Sequence, residues 1–167
     1  MENIIEPIQK TSPKDVFLHL LAIVTLYASA VSLGVLLFDY INLAFPDPLV
    51  DGAGYYDYAV QAYHDSIRWS VSALVVVFPV FLFTTRFLNK SYDANPTKRN
   101  LRIRKWLVYF TLFATAVVVI GDLVALIYNF LGGEITIRFF LEVLTIALIA
   151  GSIFFYYFHD VRKYKTE

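Results

Sequence analysis

Cysteine is absent from this 167-residue chain, which excludes a disulfide scaffold, thiolate metal sites and a cysteine nucleophile. Charge is scarce. Charged residues make up 17% against about 25% in ordinary globular chains, and hydrophobic residues 58% against about 45–50%. The chain also lacks a phosphate-binding glycine loop, a dinucleotide fingerprint, an HExxH pair and a nucleophile elbow, and it is therefore expected not to be an enzyme. It has no internal repeat and no linker long enough to separate two domains. The apolar surplus is expected to sit in lipid.

A spanning helix needs about 20 apolar residues, because the hydrocarbon core is about 30 Å thick and a helix rises 1.5 Å per residue. Four stretches satisfy this: Val16 to Phe45, Ile67 to Leu88, Trp106 to Leu131 and Ile135 to Phe158. Helices satisfy their own backbone hydrogen bonds in lipid, so the expected fold is all-α, an antiparallel four-transmembrane-helix bundle over residues 16–159. Residues 1–15 and 160–167 form its two tails. Lys10 and Lys14 precede an apolar run ending in Ala28-Ser29-Ala30, in the manner of a cleavable signal. The apolar sequence continues to Phe45, well past the 7–15 residues of a signal's hydrophobic region, so an uncleaved span is expected. Pro46-Asp47-Pro48, Asn95-Pro96 and Gly132-Gly133 fall between spans, as turn chemistry requires.

The formal net charge is zero, but its distribution is polarised. Arg86, Lys90, Lys98, Arg99, Arg102, Arg104 and Lys105 lie in or beside the second connection, Lys10 and Lys14 in or near the first tail, and Arg162, Lys163 and Lys165 near the other end. That is twelve of the fourteen basic residues on one side. The opposite loop, Pro46 to Asp65, carries Asp47, Asp51, Asp57 and Asp65 with no Lys or Arg, and the last loop adds Glu134. The positive-inside rule places both termini in the cytoplasm. The basic connection is read as this rule plus attraction to anionic headgroups, not as a nucleic-acid site, because no recognition pattern is interleaved with it. Trp106 and the group Tyr55, Tyr56, Tyr58 and Tyr63 are expected to be interfacial anchors, the tyrosines on a short helix along the outer surface.

Polar residues are the informative ones in a membrane helix, because lipid offers them no partner. Four seams appear at heptad spacing. They are Thr25, Ser29, Ser32 and Asp39 on the first helix, Arg68, Ser72, Pro79 and Arg86 on the second, Thr111, Thr115, Asp122 and Asn129 on the third, and Arg138, Glu142, Thr145, Ser152, Tyr156 and His159 on the fourth. Together they predict a bundle whose interior is more polar than its lipid surface, with Pro79 removing one backbone bond from the second helix.

Five of these residues are ionisable and fall in the outer half: Asp39, Arg68, Asp122, Arg138 and Glu142. Three carboxylates against two guanidinium groups leave one negative charge over, to be met by a proton, a cation or water. One reading makes Asp122 and Glu142 a protonatable or ion-binding site reached from outside, with Arg68 and Arg138 tuning it. The other makes the five an ion-pair network that fixes helix register. His19 and His159 share the cytoplasmic side, and His64 lies opposite. Two histidines without further ligands are read as interfacial hydrogen-bonding groups, and no metal or cofactor is assigned.

Arg68-Trp69, Pro79, Arg104-Lys105-Trp106, Gly121-Asp122 and Gly132-Gly133-Glu134 followed by Arg138 lie in a chain that, from Ser12 to the end of the fourth helix, resembles a bacterial family of integral membrane proteins, domain of unknown function (DUF) 5671. The resemblance implies four helices in a bacterial plasma membrane and no substrate. Glu142 departs from the family pattern, which is often basic there. The function expected is a non-enzymatic structural or accessory subunit of a membrane assembly, partnered by the lipid bilayer and by further copies or another membrane protein. The alternative is an ion- or proton-coupled transporter or channel using the outer cluster.

Overall fold

The computed structural model describes residues 12–46, 56–133 and 136–164. Asp47, Pro48, Asp51, Tyr55, Glu134, Ile135, Lys10 and Lys165 lie outside the described residues. Four helices, α1 (Pro13–Ala44), α2 (Tyr56–Ala94), α3 (Arg102–Gly132) and α4 (Ile137–Tyr164), with a 3-10 turn (Pro96–Asn100) between α2 and α3, make up the fold. All four helices are long and apolar enough to cross a membrane. The chain is an all-α, polytopic membrane protein.

Local chemistry sets the ends. Ser12 caps α1 by accepting from the Lys14 amide at 3.3 Å, with Pro13 in the first turn, where its missing N–H costs nothing. Gly133 closes α3 at φ 72°, a left-handed cap that a residue with a Cβ adopts only under strain. The helices overrun the predicted spans. At 1.5 Å per residue, the 39 residues of α2 extend about 58 Å, far beyond a core of about 30 Å. The stretch with Tyr58 and Tyr63, expected as a separate surface helix, is instead continuous with α2, which also runs unbroken through Pro79.

The packing is centred on α1. It runs along α2 and also packs on α4 and α3, while α3 packs mainly on α4. Among the described residues, α2 has no backbone neighbour in α3 or α4. The bundle is therefore open on the side between α2 and α4. The inward face of α1 carries His19, Ala22, Thr25, Ser29 and Asp39, so its predicted seam is buried at Thr25, Ser29 and Asp39 and half-buried at Ser32. On α3, Thr111, Thr115 and Asp122 turn inward, and Thr111 is wholly enclosed. Its hydroxyl donates to the Leu107 carbonyl at 2.9 Å and accepts from Tyr27 of α1 at 3.4 Å. Hydroxyls satisfied by their own helix in this way can lie at a helix contact without an orphaned donor.

Two seams depart from expectation. On α4, Arg138, Glu142 and Thr145 lie wholly or partly inside, but Ser152, Tyr156 and His159 are exposed. A straight helix drifts about 20° per heptad against a 3.5-residue repeat, and over three heptads that carries the seam out of the interface. On α2 the whole seam is exposed, at Arg68, Ser72, Val75, Pro79, Leu82 and Arg86, with Val75 and Pro79 on the rim of a groove that α1 and α4 also line. The buried stripe is Ser70, Thr84, Leu88 and Tyr92, displaced by two residues from Ser72 and Arg86. At 3.6 residues per turn this displacement is about 200°, the opposite side of the helix.

Candidate functional site

The five outer charges do not form one network. Arg138 Nε donates to Glu142 Oε1 at 3.4 Å within α4, as an i,i+4 spacing allows, and Tyr63 of α2 comes within hydrogen-bonding reach of the same guanidinium. Arg68 stands apart. Its side chain is 81% exposed and pairs with Asp65 at 3.3 Å on its own helix, so its expected place in the cluster is corrected by the outward face of α2. Asp39 and Asp122 are both buried, each with Oδ2 lacking any hydrogen-bond partner, and Asn42 Oδ1, one turn beyond Asp39, is in the same state. Of the five, the structure brings together one pair, Arg138 and Glu142, and among the described residues leaves Asp39 and Asp122 each with one unpartnered oxygen.

The densest polar contacts lie at the other end, on the basic side. His19 of α1 uses both ring nitrogens. Nδ1 is 2.6 Å from the Asp15 carbonyl, and Nε2 is 2.6 Å from the Tyr92 hydroxyl of α2. A carbonyl only accepts, so Nδ1 carries a proton; in the neutral ring Nε2 is then the acceptor and Tyr92 O–H the donor. The Arg104 guanidinium of α3 lies 5.2 Å from the centre of the Tyr92 ring, within cation–π range. Arg104 also donates from Nη1 to the Arg99 carbonyl at 3.0 Å and pairs through Nη2 with Asp160 of α4. One chain of contacts, His19 to Tyr92 to Arg104 to Asp160, ties all four helices together. Lys98 adds the connecting turn through a 3.2 Å pair with Asp15, and Arg99 approaches the same Tyr92 ring at 5.6 Å.

A small cavity of about 70 Å³ lies inside this latch, bounded by His19, Leu88, Tyr92, Arg104 and Tyr157. A wider recess of about 360 Å³ opens beside it between Asn89, Arg99, Tyr156, His159 and Lys163. His159 is exposed on α4, whereas His19 is committed to Asp15 and Tyr92. Tyr92, Arg104 and Asp160 were missed in the sequence because they lie outside the predicted spans. The signal was present: the buried α2 stripe continues by steps of four from Thr84 through Leu88 to Tyr92, level with the start of α1.

The family described as Domain of unknown function (DUF5671) matches residues 15–157. The chain belongs to the DUF5671 family. No curated protein and no solved structure matches it. The matched region of this DUF5671 protein contains the outer charges together with His19, Tyr92 and Arg104, and stops short of Asp160.

Proposed function

We propose that the chain is a non-enzymatic structural or accessory subunit of a membrane assembly, seated in a bacterial inner membrane with both termini cytoplasmic. The observation that supports this reading is the outward face of α2. Arg68, Ser72, Pro79 and Arg86 follow one another at heptad spacing and are all exposed, on a helix that has no backbone neighbour in α3 or α4 among the described residues. Small and hydroxyl-bearing residues with interspersed polar groups are what membrane helices use to contact one another, and among the described residues Arg68, Ser72, Pro79 and Arg86 remain exposed. A second copy or another membrane protein is the occupant this reading requires. The test is the mass of the complex extracted in mild detergent. The expected result is an oligomer or a stoichiometric membrane partner, lost in Ser72→Phe while thermal stability is kept. A monomer unaffected by that substitution contradicts the reading.

A second reading, an ion- or proton-coupled transporter or channel, is supported by Asp39 and Asp122, buried side chains that each hold one carboxylate oxygen without a hydrogen-bond partner. Its test is reconstitution into vesicles with a pH-sensitive dye. Flux abolished by Asp39→Asn or Asp122→Asn supports it, and no flux with common ions removes it.

A further inference from the structure

The seam between α1 and α2 is satisfied at its basic end and not at its outer end. Leu18 and Ala22 of α1 pack with Leu88 and Tyr92 of α2, and His19 closes that end on the Tyr92 hydroxyl. On α1, steps of three and four residues lead outward from Ala22 to Asp39 along side chains that are all buried or half-buried, and on α2 the same steps lead from Leu88 to Ser70. Asp39 lies seventeen residues beyond Ala22, and Ser70 lies eighteen residues before Leu88. In this antiparallel pair the two therefore reach levels within about 1.5 Å of one another, as facing members of one layer. Asp39 is 7% exposed and Ser70 1%.

The polar atoms of this layer have no partner. Asp39 Oδ2, Ser70 Oγ and, one turn beyond Asp39, Asn42 Oδ1 are each enclosed without a hydrogen bond. Elsewhere in the bundle buried hydroxyls turn back to their own helix, as those of Thr25, Ser29, Thr111 and Thr115 do. The Ser70 hydroxyl does not, and its oxygen stays available to the interface. Carboxylate and amide oxygens only accept, so Asp39 and Asn42 cannot satisfy one another. Among the described residues no basic side chain is paired with Asp39: Arg68, two residues from Ser70, pairs with Asp65 on the exposed side of α2, and Arg138 with Glu142. The last turn of α1 holds no basic residue, and its carbonyls carry the negative end of the helix dipole.

A carboxylate, an amide oxygen and a hydroxyl oxygen beside the negative end of a helix are ligands for a hard cation. A bridging water satisfies such acceptors but leaves the charge of Asp39 unanswered, which is costly at membrane depth. One negative charge among neutral oxygens suits a singly charged ion. A divalent ion would bring a surplus positive charge, and among the described residues no group of three His, Asp or Glu could hold one. Asp122 belongs to another face: its stripe on α3 includes Thr111, which meets α1 at Tyr27, about 120° around that helix from Asp39.

We infer that Asp39, Asn42 and Ser70 form a sodium site between α1 and α2 near their outer ends, one ion per chain. The closeness of this layer, which leaves Ser70 almost wholly enclosed, favours sodium over the larger potassium. The site lies on the side of α2 opposite the Ser72 stripe and shares no residue with it. It gives an occupant to one of the two carboxylates behind the transport reading but does not rest on that reading, because the ion is held at equilibrium whether or not the chain carries flux.

The experiment uses the full chain in a neutral detergent, with choline chloride replaced stepwise by sodium chloride at constant ionic strength. Bound ion is counted with radioactive sodium, and thermal stability is followed in parallel. One sodium per chain is expected, with a melting temperature that climbs with the logarithm of sodium concentration once the site fills, and potassium is expected to bind at least about tenfold more weakly, as cavity size dictates. Asp39→Asn and Ser70→Ala are each expected to weaken sodium binding at least about tenfold, since even outer-shell partners of a metal are worth about 10–100-fold. In choline both variants are expected to melt no lower than the unaltered chain, which separates loss of the ion from loss of the fold. Equal melting of the unaltered chain in sodium, potassium and choline, with no bound radioactive sodium, overturns the inference in favour of water. Sodium binding unchanged in both variants overturns it by placing the ion elsewhere, and tighter binding of calcium than of sodium overturns the single charge assigned to it. Absence of flux in vesicles bears on the transport reading alone.

Discussion

Replacing Asp160 by Asn strips one charge from the latch while keeping the side chain's shape. Arg104, 9% exposed, then keeps its charge without its carboxylate. A hydrogen bond to a charged group contributes about 1.5–3 kcal/mol, and removing one partner of a fully buried pair costs about 3–5 kcal/mol. Asp160 is 28% exposed, so water screens part of the loss and the expected cost is about 2 kcal/mol. Arg104→Gln loses the same pair and, in addition, the contact with the Tyr92 ring, about 0.5–1 kcal/mol, and the bond to the Arg99 carbonyl, about 1 kcal/mol. The double variant is expected to cost little more than Arg104→Gln alone, leaving a coupling of about 2 kcal/mol. Reversible unfolding in mixed micelles measures all four proteins, and in a chain of this size about 2 kcal/mol corresponds to a melting shift of roughly 4–8 °C. The ionic strength gives a second check. Exposed pairs fade at 1 M salt, where the screening length is about 3 Å, whereas this coupling is expected to keep more than half its value. A coupling below about 0.5 kcal/mol, the range in which independent sites add, refutes the claim that the pair holds α3 to α4.

Other substitutions test neighbouring parts of the account. Tyr92→Phe removes the hydroxyl and leaves His19 Nε2 buried without its donor, an expected loss of about 1–3 kcal/mol; stability equal to that of the unaltered chain counts against the tautomer assigned to His19. Arg68→Gln is expected to change stability by less than about 0.5 kcal/mol, as a group exposed on the outward side of α2 should, whereas Arg138→Gln, which takes from Glu142 its ion-pair partner, is expected to be clearly destabilising; equal effects contradict the separation of the two arginines. Asp122→Asn is expected to leave stability unchanged or raise it, since the carboxyl has no hydrogen-bond partner to lose at its buried oxygen; a fall in melting temperature contradicts this. Gly133→Ala is expected to cost about 1 kcal/mol, all of it from the left-handed backbone, because no atom lies within 4 Å of where its Cβ would stand.

The spans were legible in the sequence because lipid imposes a single strong condition, a long apolar run, that α1 through α4 meet without ambiguity. The facing of each helix was legible only where polar side chains sit in the bundle interior. Thr25, Ser29, Thr111 and Thr115 satisfy their hydroxyls within their own helices and pack inward. On α2 the same reasoning gave the wrong side. Arg68 and Arg86 lie towards the two ends, where a long side chain reaches water from the lipid face, and Ser72 is satisfied by the Arg68 carbonyl at 2.7 Å, so none of them has to be enclosed. The inner latch escaped notice because Arg104 reads as one more member of a basic connection and Tyr92 falls outside the predicted span that ends at Leu88. Only the overrun of α2 beyond Leu88 brings Tyr92 beneath His19. Counting charges set Arg68 against Asp39, Asp122 and Glu142, but the count could not tell that it pairs with Asp65 on an exposed face of its own helix.

The central claim, an α1-centred bundle that turns the Ser72 side of α2 outward towards a partner, has a direct test in a chain without cysteine. Ser70→Cys and Ser72→Cys each introduce the sole thiol, two residues apart on opposite faces of α2. In native membranes under mild oxidation, Ser72→Cys is expected to react with a small lipid-soluble maleimide and to form a cross-linked species, while Ser70→Cys, enclosed against α1, is expected to do neither. Protection of Ser72→Cys together with labelling of Ser70→Cys contradicts the account at its base.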